Sequence, residues 1–214
     1  MTAAAMATKW NMIPASPGWG GPIEQANSGA LRALVRMLDA RDTETEAHSR
    51  RVVQISLTLG MALGLAPAEL RAIEVGAMLH DVGKIGVPDS ILRKPAPLST
   101  DEWHVMRQHP ELGHDILSEL GFLKSALPLV LHHHERWAGD GYPHRLRGND
   151  IPLGARIFAV ADAYDVIRSR RPYKPPYSHP VAVDIIRRDT GTHFDPRVSQ
   201  AFFDLYAQRP PRLH

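Results

Sequence analysis

The feature that most limits the fold of this chain is an apolar period of 3.6, recurring in segment after segment. Leu31, Leu34, Val35 and Leu38 fall at i, i+3, i+4 and i+7, and Val52, Ile55 and Leu59 resume that spacing in the next segment. Pro67, with Glu69 in the first turn, opens a third helix through Met78, and Ser99-Thr100-Asp101-Glu102 reads as a capping box opening another at Trp103. Further helical stretches fit Glu111 to Leu120, Ser125 to His134, Leu153 to Ser169, Val181 to Arg188 and Pro196 to Ala207. Alternation with a period of two is nearly absent, so the expected class is all-α. Residues 83–98 and 136–152 are dense in Gly and Pro and are expected as long irregular loops, which in compact domains are often functional.

A chain of 214 residues with an apolar fraction of 43% has enough material for one good-sized core. Residues 1–28 are rich in Gly, Pro and Ala without a sustained period and are expected as a flexible leader, too short for a sensor domain, ahead of a single domain over 29–210. Lys plus Arg number 25 against 23 for Asp plus Glu, and a formal charge of +2 argues against a nucleic-acid polymer or a membrane surface as partner. No apolar run approaches the roughly 18 residues of a membrane span, and the N-terminus lacks a secretory signal, so a soluble cytoplasmic protein is expected. The chain has no cysteine, which removes disulfides, zinc-thiolate sites and thiol catalysis together and leaves histidine and carboxylate as metal ligands.

Several of those ligands point inward. In MLHDVGKIGVPD, residues 78–89, His80 shares a helix face with Ile73 and Ala77, and Asp81 lies four after Ala77. Asp162 lies four after Phe158 and three after Ala159, and His133 and His134 follow Val130 by three and four. Glu44 and His48 are four apart, so both side chains reach one point. Taken singly, each has a plainer explanation: a hydrogen-bonded core histidine, Asp42 and Glu44 complementing a helix N-terminus, or Asp162 paired with an arginine. An inward carboxylate is costly unless paired or metal-bound, and four separate helices each turn a metal-competent group inward. A multi-metal hydrolytic site explains all of them at once, with Fe, Mn or similar divalent ions suited to N and O ligands.

HDVGKIGVPD, RQHPELGHDIL, HHERWAGDGYPHRLRG, IPLGARIFAVADAYDVIRSRRPYK and GTHFDP, in that order from about Arg41 to Phe202, resemble the successive signatures of the HD-GYP domain. That family comprises HD-superfamily phosphodiesterases that hydrolyse cyclic di-GMP, so the resemblance implies a helical bundle with a metal site in its core. It implies His48, His80, Asp81, His109, His133, His134 and Asp162 as metal ligands, with Asp81 bridging two ions and acting in catalysis. Glu44 stands where three-metal members carry a glutamate, so two or three divalent ions, Fe or Mn, are implied. Lys84 matches a lysine that handles the scissile phosphate or leaving group, and Arg171 and Lys174 match phosphate contacts. Tyr142, in the Gly141-Tyr142-Pro143 signature, offers a ring for base stacking or a hydroxyl for a phosphate.

The chemistry follows from such a site. Close divalent ions lower the pKa of a bridging water and neutralise phosphoryl charge, a lysine adds positive charge, and a planar arginine grips phosphate. The leading expectation is hydrolysis of cyclic di-GMP to pGpG or GMP, with a signalling protein as a further partner at the GYP loop. The alternatives are an HD phosphohydrolase of another cyclic dinucleotide and a catalytically silent dinucleotide receptor. Two positions depart from the family pattern: Ala138 replaces a loop aspartate, and Arg168 stands where a small residue is common. His104, His114, His132, His144, His179 and His214 fall at variable positions and are expected in surface or capping roles, and His193 in GTHFDP in packing. Arg187 and Arg188 are expected as a solvated helix end.

Overall fold

The computed structural model describes Met37 and residues 46–169 and 176–211. The expected leader over 1–28, the helix through Leu31, Leu34, Val35 and Leu38, and the site candidates Glu44, Arg171 and Lys174 lie outside the described residues. Among those described the chain is helical, as expected: α1 (Glu46–Ala62), α2 (Pro67–Leu79), α3 (Asp89–Leu92), α4 (Thr100–Met106), α5 (His109–Ser118), α6 (Leu127–His132), α7 (Leu153–Arg168), α8 (His179–Asp189) and α9 (Pro196–Tyr206). The one extended pairing there is a single bridge between Thr190 and Phe194. No helix among the described residues is long and apolar enough to cross a membrane.

Helix ends follow local chemistry. The Ser99 hydroxyl accepts from the Glu102 N–H while the Glu102 carboxylate accepts from the Ser99 N–H at 2.7 Å, so the capping box is real. It opens α4 at Thr100 rather than at Trp103, because Ser99 itself is the N-cap. Asp195 caps α9 by accepting from the Arg197 N–H and takes the Arg156 guanidinium at 2.7 Å, which gives GTHFDP the packing role expected of it. The loop over 83–98 is less irregular than its composition suggests, since it holds a 3-10 turn at Val82–Gly86 and the single turn of α3. The loop over 136–152 likewise contains a short 3-10 turn at Gly148–Asp150.

Helix α7 runs through the centre. Ala155, Ile157, Phe158, Ala159, Val160, Ala161 and Tyr164 are all buried, on every side of the helix, and they join residues of α1, α2, α8 and α9 in the main core. A second cluster of Leu79, Val82, Leu117, Leu123, Leu127 and Val130 packs the end of α2 against α5 and α6. The ring of Phe158 meets His80 at 4.7 Å and His133 at 5.8 Å between centroids, so the ionisable residues lie on the seam between main core and second cluster.

Gly83 closes that seam. A Cβ there would collide with the His109 carbonyl and the Gly113 nitrogen, so only glycine lets the 3-10 turn lie against the start of α5. Gly83→Ala is therefore expected to lower the unfolding free energy by about 1 to 3 kcal/mol, measured by urea denaturation, because backbone must move to admit the methyl group. An unchanged midpoint would show that this close approach is not a fixed part of the fold.

Candidate metal centre

Three histidines are held by the same local device. His80 Nδ1 lies 2.8 Å from the Ala77 carbonyl, His109 Nδ1 lies 2.8 Å from that of Met106, and His133 Nδ1 lies 2.7 Å from that of Val130. Each carbonyl sits in the last turn of a helix, α2, α4 or α6, where it has no intrahelical partner. A carbonyl only accepts, so each Nδ1 carries the proton and each Nε2 presents a lone pair to the interior. His48 is fixed in the same sense by a carboxylate, its Nδ1 donating to Asp165 at 2.7 Å.

The four Nε2 atoms converge on carboxylate oxygens. Asp81 places Oδ2 3.1 Å from His80 Nε2, and Oδ1 3.3 Å from His109 Nε2 and 3.8 Å from His133 Nε2. His109 and His133 face one another at 3.2 Å between Nε2 atoms, and His48 Nε2 is 3.3 Å from Asp162 Oδ1. Ligand atoms of Asp81, His109, His133 and His134 all lie within 4.8 Å of one another. Acceptors meet acceptors throughout, an arrangement that needs a cation between them.

A proton is one such cation. Burial by itself would raise the Asp81 carboxyl, but the charges of His80 and Lys84, with hydrogen bonds from His109 and His80, hold it well below the usual carboxylate range. His133 and His134 refuse protons: burial, with neighbouring imidazoles, pushes His133 well below the ordinary histidine value and His134 down to about 3. Neutral imidazole and ionised carboxylate are the forms that bind metal, so this His/Asp cluster can hold metal ions.

Around the cluster stand Lys84, whose Nζ is 2.7 Å from Asp81 Oδ2, and Tyr142, whose ring stacks on His134 at 4.6 Å. Arg107 places its guanidinium 5.4 Å from the Tyr142 ring centre and 5.7 Å from that of Trp103. The loop carrying Tyr142 is pinned by Glu135, which accepts from the backbone N–H groups of His144 at 2.8 Å and Leu146 at 3.1 Å. Between those two bonds Arg145 is held at φ 54°, a left-handed conformation that costs a non-glycine residue roughly 1 kcal/mol. Gly141 is required by proximity, since a Cβ there would meet the backbone of His134, Glu135 and Arg136. With Ala138 in place of the usual aspartate, the loop is still tied by the Ala138 N–H to Thr192 and the Trp137 N–H to His193.

Every described member of the predicted ligand set is thus brought together: His48, His80, Asp81, His109, His133, His134 and Asp162, with Lys84 and Tyr142 beside them. Sequence reasoning missed Asp165, which receives His48 and, at 2.6 and 2.9 Å, a bidentate Arg51. Its signal was present, since Asp165 lies seven after Phe158 and three after Asp162 on the same face of α7. Glu135, inside the HHE stretch, was missed as the anchor of the loop. Arg168, expected to add charge near Arg171 and Lys174, donates to the Tyr164 hydroxyl and helps line a cavity of about 330 Å³ with Arg51, Tyr164, Asp165 and Ser169. His179 is structural, bridging the Tyr164 hydroxyl and the Tyr206 carbonyl. Arg187 and Arg188 pair with Asp184 and Asp189 on the surface, as a solvated helix end should. His144 is exposed, as expected, while the His132 side chain is largely buried rather than on the surface, and both come within reach of Glu135.

Comparison with known proteins places this geometry. The family model of the HD domain matches residues 32–198. The cyclic di-GMP phosphodiesterase response regulator RpfG of Xanthomonas campestris is 40% identical over 188 residues, covering 87% of this chain and 50% of that protein. The 3'3'-cGAMP-specific phosphodiesterase 2 of Vibrio cholerae is 39% identical over 173 residues, covering 80% of this chain and 33% of that protein. The chain therefore spans a third to a half of the length of these curated relatives. The crystal structure of a cyclic GMP-AMP specific phosphodiesterase of V. cholerae shares the fold, with a TM-score of 0.65 at 22% identity over 86% of this chain and 48% of that one. The chain belongs to the HD domain family and, by its ordered HD, HHE and GYP motifs, to the HD-GYP group within it.

Proposed function

We propose that this chain is a metal-dependent phosphodiesterase that opens cyclic di-GMP to linear pGpG and, by a second cleavage, to GMP. The observation that carries the reading is the crowding of acceptors around Asp81, where imidazole lone pairs and carboxylate oxygens face one another at 3.1 to 3.8 Å. In this reading His48, His80, Asp81, His109, His133, His134 and Asp162 hold two divalent ions, and Glu44 supplies a ligand for a third. A donor set of nitrogen and oxygen without sulfur suits Fe or Mn. When bound, such ions supply Lewis-acid charge to the phosphoryl oxygens and lower the pKa of a nucleophilic water.

The chain's own groups do the rest. Lys84, whose Nζ is 2.7 Å from Asp81 Oδ2, brings positive charge to the cluster and in this reading gives a proton to the departing ribose oxygen. Burial pushes the Tyr142 hydroxyl up, so it stays protonated at neutral pH and acts as a donor, while its ring is fixed on His134. Arg171 and Lys174 hold the phosphates of the dinucleotide, a planar guanidinium giving two parallel hydrogen bonds. Asp165 acts through His48, fixing the tautomer that turns Nε2 inward. A second substrate, 3'3'-cGAMP, is kept as a rival because a relative of similar identity is named for it.

Protein loaded anaerobically with Fe(II) or Mn(II) is expected to convert cyclic di-GMP to pGpG or GMP, read by chromatography, and to prefer it to 3'3'-cGAMP offered in parallel. Chelation should abolish turnover and Asp81→Asn should lose both product and bound metal. Tight binding of the dinucleotide with no turnover under either metal would replace the enzyme with a receptor.

Asp165→Asn is expected to lower metal affinity or turnover by about 10- to 100-fold and unfolding free energy by about 2 kcal/mol. Burial alone would raise the Asp165 carboxyl, but hydrogen bonds from His48 and Arg51 and their charges hold it below the usual range. A depressed folded pKa contributes stability that is complete above the unfolded value of about 3.9 and is lost as pH falls through the folded one. The stability difference between wild type and Asp165→Asn, measured by denaturant titration, should thus be constant from neutral pH to about 4 and shrink in stronger acid.

A further inference from the structure

A second cluster of ligand-type side chains lies on the outer side of the HHE stretch. His132 ends α6, Glu135 follows one turn later, and His144 comes back across the GYP loop; one ligand atom from each falls within 4.8 Å of the others. Successive helical positions point about 100° apart, so His132 is turned from the cluster that its neighbour His133 joins. The imidazole rings of His132 and His144 are 5.3 Å apart between centroids.

The cluster's polar groups are left incomplete by the protein alone. His80, His109 and His133 each spend Nδ1 on a helix-end carbonyl, whereas His132 Nδ1 is buried with no hydrogen-bond partner. It points toward Glu135 Oε1 at 3.9 Å, too far for a hydrogen bond and close enough for a cation between them. The Glu135 side chain is 0% exposed and takes backbone N–H groups of the loop at His144, Arg145 and Leu146, and its Oε1 is the oxygen nearest His132 Nδ1. His144 is exposed, which leaves the remaining coordination position open to water.

We propose that His132, Glu135 and His144 form a second metal site, distinct from the Asp81 cluster, that takes a Zn(II)-class ion. Two imidazoles, one carboxylate and a water are a common four-coordinate donor set for zinc, while harder ions such as magnesium and calcium prefer oxygen ligands. Because His144 lies two residues after Tyr142, an ion here fastens the GYP loop to the end of α6 and stiffens the segment that stacks Tyr142 on His134.

The test is zinc stoichiometry of the full chain by equilibrium dialysis and elemental analysis, comparing wild type with His144→Ala, His132→Gln and the double variant. Wild type is expected to hold one more equivalent of Zn(II) than each single variant, and the double variant to hold the same as either single one. Hydrogen exchange across 135–146 should slow on zinc addition in wild type and not in His144→Ala. Equal zinc content in wild type and His144→Ala would overturn the proposal. So would loss of more than one equivalent from that variant, since the Asp81 cluster would then be what failed.

Discussion

The whole arrangement depends on one local contact made three times: an imidazole Nδ1–H donating to a carbonyl in the last turn of a helix. Those carbonyls at Ala77, Met106 and Val130 need a partner in any case, and the histidines that satisfy them are thereby locked with Nε2 toward the interior. Helix termination and ligand orientation are the same bond. The outcome is a buried set of acceptors around Asp81 that is stable only with cations among them.

The fold holds this set in place through rigid neighbours. Phe158 of α7 packs on both His80 and His133, and Gly83 lets the turn after the HD pair press on the first residue of α5, bringing His109 to Asp81. Gly141 performs the equivalent service for the GYP loop, allowing its backbone to lie on that of residues 134–136 so that Tyr142 reaches His134. The glycines of HDVGK and GYP are thus explained by backbone approach, and the ionisable residues beside them by what the approach brings together.

Much of this could be read from the sequence because helical period tells which way a side chain points. His80, Asp81, His133, His134 and Asp162 are all expected inward from their spacing to apolar neighbours; the structure buries His80, Asp81 and His133 as that spacing says, leaves His134 half-buried, and keeps the Asp162 side chain 31% exposed. The placement of Asp165 on the face of Asp162 was legible, but its role was not, nor was that of Glu135, since what makes them matter is a partner elsewhere. His48 and Arg51 are 117 and 114 residues from Asp165 in the chain, and no local pattern encodes such a pairing. The loop over 83–98 was misjudged for the opposite reason: its Gly and Pro residues signal breaks, yet short turns of helix form between breaks when the ends are packed. His132 and His144 look unremarkable one at a time, and only a folded loop reveals that they share Glu135.

The most direct test of the central claim is anomalous diffraction from crystals loaded anaerobically with Mn(II). The account predicts density bonded to the Nε2 atoms of His80, His109 and His133 and to the oxygens of Asp81, with each Nδ1 still on its helix-end carbonyl. Metal bound through Nδ1, or bound elsewhere with the Asp81 cluster unaltered, would contradict it.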